Sequence, residues 1–187
     1  MKILYVHGYG SQANNSTSLL IQEVRKDDEV IAPAIPYADP ELSVRTIDGL
    51  IEEHKPDVLM GSSLGAFYLL QFDRGIPRIL INPALPENLT NIGGRKEFVS
   101  ALEKQFENVK DVSRGPAVIY CGEDDDVAPN FGYFSGRYNN DKSNVRVLSV
   151  PRMNHHLSRD AMLGPIDGDL SRLKQHCSAN PRGTNLK

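Results

Sequence analysis

Three stretches of the sequence hold residues that could act together on a carbonyl carbon. The first is Gly61-Ser62-Ser63-Leu64-Gly65, a G-x-S-x-G pattern with Ser63 at its centre. The second is the acidic run Glu123-Asp124-Asp125-Asp126, and the third is Asn154-His155-His156. A serine hydroxyl is a poor nucleophile until an imidazole takes its proton during attack. The imidazole in turn needs a carboxylate to fix its tautomer and to stabilise its protonated form. The chain supplies these types in the order serine, aspartate, histidine. Within the acidic run, Asp124, Asp125 and Asp126 all have the right chemistry, and His155 and His156 compete as the base.

The elements around these stretches decide whether they can meet. Asp57-Val58-Leu59-Met60 is short and apolar and reads as a buried strand, whereas Ala66 to Phe72 reads as a helix. Ser63 therefore sits on a strand-to-helix turn, the setting in which G-x-S-x-G forms a nucleophile elbow. Gly61 and Gly65 are expected there because a Cβ at either place would strike the neighbouring strand or helix. The helix beneath the serine aims free N–H groups at any anion formed above it, and the Leu64 N–H becomes one oxyanion donor.

Further apolar runs read as strands at Lys2–His7, Glu29–Ala32, Arg78–Ile81, Ala117–Cys121 and Val145–Val150. Helices are expected at Leu19–Arg25, with Leu19, Leu20 and Val24 on the sheet, and from Asp39-Pro40 to Lys55-Pro56, with Val44, Ile47, Leu50 and Ile51 inward. Two more are expected at Arg95–Phe106, with Phe98, Leu102 and Phe106 on one side, and at Ile166–Cys177, with Ile166, Leu170 and Leu173 inward. Asn14–Ser18 and Pro86–Gly94 read as loops. Apolar strands alternating with helices predict a six-stranded, mostly parallel, doubly wound α/β sheet. Such sheets bind ligands at the carboxyl ends of their strands. The acidic run follows the fifth strand and the histidines follow the sixth, so both sets arrive at the edge that carries Ser63.

Bulk properties narrow the classes. A chain of 187 residues, 40% hydrophobic and 24% charged, suits one globular domain over residues 1–177, with residues 178–187 as a frayed polar tail. The net charge of −3 gives no electrostatic reason to expect nucleic acid or a membrane as partner. Two cysteines, Cys121 and Cys177, form no disulfide framework, and no run reaches transmembrane length, so a cytoplasmic protein is expected. The acidic run lacks the alternating spacing of a calcium loop, and no H-x-x-x-H pair accompanies it, so neither a metal nor another cofactor is expected.

Four segments together resemble the α/β-hydrolases, and within them the small YqiA-type bacterial esterases. They are Leu4-Tyr5-Val6-His7-Gly8-Tyr9, Gly61 to Tyr68, Ile81-Asn82-Pro83-Ala84 and Asn154-His155, and the similarity runs to about Cys177. The resemblance implies an α/β-hydrolase fold with little or no cap, Ser63 as nucleophile and His155 as general base, with His156 as its rival. It implies Asp125 as the triad acid, because Asp125-Asp126-Val127-Ala128-Pro129 matches a D-x-V-x-P stretch, with Asp124 and then Asp126 as alternatives. It places the second oxyanion donor at Tyr9, after His7-Gly8, and gives His7 the task of ordering that loop. The implied activity is serine esterase action on small or short-chain esters through an acyl-enzyme. A thioesterase or other acyl hydrolase with the same triad, or a silent hydrolase fold used for binding, are the alternatives. Little sequence is left for a lid, and Tyr133-Phe134 are expected to line one side of the site.

Overall fold

The computed structural model of the chain describes residues 1–72, 74–91, 96–108, 116–139 and 143–179. Its elements run β1 (Lys2–Val6), α1 (Ser16–Val24), β2 (Glu29–Ile31), α2 (Pro40–His54), β3 (Val58–Ser62), α3 (Leu64–Leu70) and β4 (Arg78–Ile81). They continue with α4 (Pro86–Asn91), α5 (Lys96–Asn108), β5 (Ala117–Gly122), α6 (Phe131–Tyr138), β6 (Val145–Val150), α7 (Arg159–Ala161), a π-helical turn over Met162–Ile166, and α8 (Asp167–Ala179).

The strands form one sheet in the order β2-β1-β3-β4-β5-β6, and every pairing is parallel. The inner strands are buried at nearly every position because both faces are covered, and successive side chains alternate between those faces. Leu4, Val6, Leu59, Leu80 and Ile119 point to one face, where Ile47, Ile51, Phe67, Leu102 and Phe134 of α2, α3, α5 and α6 cover them. Ile3, Tyr5, Met60, Ile79, Ile81 and Tyr120 point to the other, under Ile21, Met162, Ile166 and Leu170. The chain winds outward from β1 to β2 and then returns to place β3 on the other side of β1. That reversal opens a crevice at the carboxyl ends of β1 and β3, where His7 and Ser63 emerge. No helix among the described residues is long and apolar enough to cross a membrane.

Several sequence expectations shift. The first helix starts at Ser16, not Leu19, because the Asn15 side chain accepts from the Ser18 N–H at 3.0 Å and caps it. Its buried face is centred on Ile21, while Leu19 is 53% exposed. The second helix begins as expected, with the Asp39 side chain accepting from the Leu42 N–H and Pro40 following, and it ends at a left-handed Lys55. The Pro86–Gly94 loop expectation gives way to α4 over Pro86–Asn91; residues 92–95 lie outside the described set. Helix α6 had no counterpart in the sequence pattern. Phe98 and Leu102 are buried as expected, and the side chain of Phe106 lies outside the described residues. Of the expected tail, Ser178 and Ala179 extend α8, and residues 180–187 lie outside the described set.

Candidate active site

The strand β3 runs on through Ser62, and the chain turns into α3 within one residue. That residue is Ser63, with φ 52° and ψ −123°, a region that costs about 1–3 kcal/mol for a residue bearing a Cβ. Backbone bonds hold it there: the Ser63 N–H donates to the Ile81 carbonyl at 2.9 Å, and the Ser63 carbonyl accepts from Phe67 at 3.1 Å and Ala84 at 3.2 Å. A Cβ on Gly65 would lie 2.2 Å from the Val6 carbonyl oxygen and 2.4 Å from that of His7. One on Gly61 would lie 2.9 Å from the Ala66 nitrogen, so both glycines meet the expected strand and helix. The elbow thus fits only because β1 can pass against bare backbone.

A line of hydrogen bonds runs from the elbow to the loops after β5 and β6. Ser63 Oγ lies 2.9 Å from His155 Nε2. His155 Nδ1 lies 3.0 Å from Asp125 Oδ2 and 3.1 Å from Oδ1. An ionised carboxylate only accepts, so Nδ1 carries the proton and Nε2 presents its lone pair to the Ser63 hydroxyl. This is the tautomer a general base needs.

The structure separates the three aspartates. Asp125 is buried, 5% exposed, whereas Asp124 and Asp126 are exposed. Asp125 Oδ1 also accepts from the Val127 and Ala128 N–H groups, each at 2.9 Å, which aims the carboxylate into the site. Burial alone would raise the Asp125 pKa, but the bonds from His155, Ala128 and Val127 outweigh it and hold the carboxyl below its ordinary value. His156 is exposed, with its ring 6.0 Å from that of His155, and takes no part in the line.

On the opposite side of Ser63 the chain leaves β1 through His7-Gly8-Tyr9. A Cβ on Gly8 would lie 3.0 Å from Ser63 Cβ, so this backbone passes directly beside the serine. His7 is buried, with Nδ1 donating to the Gly8 carbonyl at 2.8 Å and Nε2 accepting from the Ile35 N–H at 3.2 Å. Burial lowers its pKa, against a smaller opposing effect of the Gly8 bond, which keeps the ring neutral and the two roles fixed. The Tyr37 hydroxyl donates to the His7 carbonyl. Both ring nitrogens of His7 are thus engaged by backbone, and the ring pins the Gly8–Tyr9 turn to the segment after β2. The Tyr9 ring rests on Phe98 of α5 at 5.5 Å. Leu64, wholly buried, opens α3, and its N–H lies in the first turn, where no intrahelical acceptor exists.

A cavity of about 140 Å³ adjoins Ser63 and His155, lined among others by Tyr5, Ser11, Asn15, Ser16, Thr17 and Ser62. The hydroxyl-bearing Ser11, Ser16, Thr17 and Ser62 and the amide-bearing Asn15 share this wall with apolar surface; Tyr5 Oη lies 2.7 Å from Ser62 Oγ. Phe134 does not line the site as expected, because it is buried in the core, and Tyr133 is half-exposed on α6. Among the described residues, no group of three or more His, Cys, Asp and Glu could hold a metal ion. One contributor was seen in the sequence only as a motif member: Asn82, wholly buried after β4, whose side chain bonds the loops carrying Asp125 and His155.

Solved structures share this arrangement of elements. Est1E from Butyrivibrio proteoclasticus superposes with a TM-score of 0.73 at 17% identity, covering 95% of this chain and 88% of that one. An esterase domain from a Rhodothermus marinus protein gives 0.62 at 18% identity, over 91% of this chain and 86% of that one. A monoacylglycerol lipase of Paleococcus ferrophilus gives 0.63 at 15% identity, over 95% and 94%. No curated protein sequence matches the chain. The parallel sheet, the strand order and the elbow define the α/β-hydrolase fold. The His7-Gly8 turn, the Ser63 elbow and Asn82 all fall within the stretch, residues 2–113, that matches one family model, and the chain belongs to that family, UPF0227, described as an uncharacterised protein family.

Proposed function

We propose that the protein is a serine hydrolase of carboxylic esters. The observation that carries this reading is the unbroken line Ser63 Oγ, His155 Nε2, His155 Nδ1, Asp125, with steps of 2.9 Å and 3.0 Å. Ser63 Oγ attacks the ester carbonyl carbon while its proton passes to His155 Nε2. Asp125 stabilises the imidazolium. The Leu64 and Tyr9 N–H groups receive the negative charge on the carbonyl oxygen, where one such donor is worth about 10²–10³ in turnover. His155 then gives the proton to the departing alcohol, and an acyl-enzyme remains. Water deprotonated by His155 attacks the acyl carbon, and the acid leaves as the proton returns to Ser63. The esterase and lipase names among the structural neighbours agree with this chemistry.

The cavity beside the serine supports small substrates. At about 140 Å³ it is close to the roughly 150 Å³ of a cavity that takes up one benzene-sized molecule. Acetyl and butyryl esters are accordingly turned over faster than long-chain esters; the reverse order across a p-nitrophenyl ester panel would contradict this size argument.

The reading is tested by mass spectrometry of the intact protein after treatment with a fluorophosphonate. A single adduct is expected on the wild type and none on Ser63→Ala, with ester hydrolysis lost in the variant. No adduct on folded wild type, or full hydrolysis by Ser63→Ala, refutes the proposal and favours a binding role for the fold.

A further inference from the structure

We propose that Asn82 is a positioning residue that locks the Asp125 and His155 loops onto the segment beneath Ser63; this rests on the hydrolase reading above. At Asn82 the chain leaves β4 with φ 45°, a left-handed conformation that asparagine tolerates better than most side chains. The backbone bend turns its amide inward, where it is 1% exposed. Nδ2 donates to the Asn154 carbonyl at 2.8 Å and to the His155 carbonyl at 3.1 Å. Oδ1 accepts from the Gly122 N–H at 2.7 Å. Gly122 ends β5, three residues before Asp125, and its carbonyl accepts from the Asp125 N–H at 3.4 Å.

The same short segment also grips the nucleophile. The Ala84 N–H donates to the Ser63 carbonyl at 3.2 Å, and the Asn82 N–H donates to the Tyr120 carbonyl at 2.8 Å. Behind it, Asn130 Nδ2 donates to the Pro83 carbonyl at 2.9 Å and to Asn88 Oδ1 at 2.7 Å, which braces the segment from the far side. Residues Asn82 to Ala84 therefore bond the backbones of the loops that carry all three members of the line.

The chemistry requires an amide. Two donors and an acceptor within a four-atom side chain are available only from asparagine; an aspartate would set a charge against two carbonyl oxygens. The side chain has no route to a substrate, since its three partners fill it. Its effect is on the 2.9 Å step between Ser63 Oγ and His155 Nε2, which depends on where the His155 backbone is held. A misplacement of about 1 Å costs on the order of 10² in rate. Loss of Asn82 should therefore lower kcat by about 10–100-fold and leave KM within about twofold.

The experiment uses the full chain with Asn82→Gly, which keeps the backbone freedom and removes the side chain, and Asn82→Asp, which keeps the shape and the acceptor for Gly122 but removes the donors. The readouts are the rate of fluorophosphonate labelling, kcat and KM on p-nitrophenyl acetate, and the far-downfield proton resonance of His155 Nδ1, which reports its bond to Asp125 without any substrate. Asp28→Asn is the control for a purely structural role: it weakens a buried ion cluster with Met1, Arg25 and Lys174 and leaves the bonds to the His155 and Gly122 backbones. The expected result is a folded Asn82→Asp or Asn82→Gly that labels at least tenfold more slowly and loses or broadens the downfield proton, while Asp28→Asn keeps both. A folded variant that keeps the proton and labels within twofold of wild type overturns the proposal, and so does failure of both variants to fold, which would assign Asn82 to stability alone. Wild type that shows the proton but never labels refutes the hydrolase reading instead, and the proton alone then decides the positioning claim.

Discussion

Replacing Asp125 by asparagine is the sharpest test of the site, because the structure separates its catalytic cost from its structural one. Asp125 Oδ1 holds the Val127 and Ala128 N–H groups at 2.9 Å, and an asparagine keeps that oxygen in place. Its amide nitrogen must then face His155 Nδ1, where Oδ2 stood at 3.0 Å. A donor now meets a donor, so the His155 proton moves to Nε2, and Nε2 donates to Ser63 Oγ instead of accepting from it. The base is disabled by tautomer with little change in geometry. The same change in a serine protease costs about 10⁴ in turnover, and a loss of about 10³–10⁴, or about 4–5.5 kcal/mol, is expected here. Stability should fall by no more than about 2 kcal/mol, or about 4–8 °C in a chain of this length. By contrast, Asp125→Ala strands the Val127 and Ala128 N–H groups and adds about 1–3 kcal/mol of instability for each. The assay pairs kcat/KM on p-nitrophenyl acetate with thermal melts for Asp124→Asn, Asp125→Asn and Asp126→Asn. The two exposed aspartates should stay within about threefold of wild type. Retention of more than a tenth of wild-type kcat/KM by Asp125→Asn, or an equal loss at Asp124 or Asp126, would refute the assignment of the acid.

Other consequences follow from geometry outside the relay. Gly65→Ala puts a Cβ 2.2 Å from the Val6 carbonyl oxygen, against strand backbone that cannot swing aside, and should cost about 3 kcal/mol or more with a slower labelling of Ser63; an unchanged melting temperature contradicts this. Cys121 is 2% exposed, and burial, aided by the charge of Asp125, pushes its pKa up to about 12. Peptide mapping after iodoacetamide treatment should find Cys121 unmodified in the native protein and modified in urea, and rapid native modification would be the contrary result. Asp28 meets the Met1 ammonium at 2.8 Å, Lys174 at 2.7 Å and Arg25 at 2.6 Å with its side chain 1% exposed. Burial would raise its pKa, but the bonds from Lys174, the N-terminal amine and Arg25 outweigh it and bring it to about 2. Because the folded value is depressed, the unfolded chain binds more protons; the contribution of about 2 kcal/mol is complete above the unfolded value near 4 and lost as pH falls toward 2. Asp28→Asn should therefore melt about 4–8 °C lower at neutral pH, with the gap closing in acid, and a gap that is the same at both ends refutes the ion-pair account.

What the sequence disclosed, and what it hid, follows from the range over which each signal acts. Strands were legible because burial on both faces demands an apolar residue at nearly every position, as in Arg78–Ile81 and Ala117–Gly122. The elbow was legible because two steric demands and one serine fall within five residues. Helix α6 was not, because FGYFSGRY carries two glycines and no aliphatic residue, and only its packing of Phe134 and Tyr138 into the core makes it a helix. The start of α1 was hidden because Ser16, Thr17 and Ser18 look like loop, and the Asn15 cap decides otherwise.

The choice among three adjacent aspartates shows the limit most clearly. Their types are identical, and a triad needs only one carboxylate, so nothing local distinguishes them. What distinguishes them is which one the turn after β5 presents inward. That turn is set by the Asp124 N–H donating to the Met153 carbonyl at 3.1 Å and by Gly122 lying against the Met153 backbone, contacts with the loop that carries His155. Which aspartate faces His155 is therefore set by the position of the histidine loop, and Asn82 bonds both loops from below. Each member of the line is placed by backbone contacts with the segments carrying the others. For that reason, a substitution at Asn82 should disturb the Asp125–His155 bond and the Ser63–His155 bond together, and one that loosened either bond alone would show that the loops are held independently.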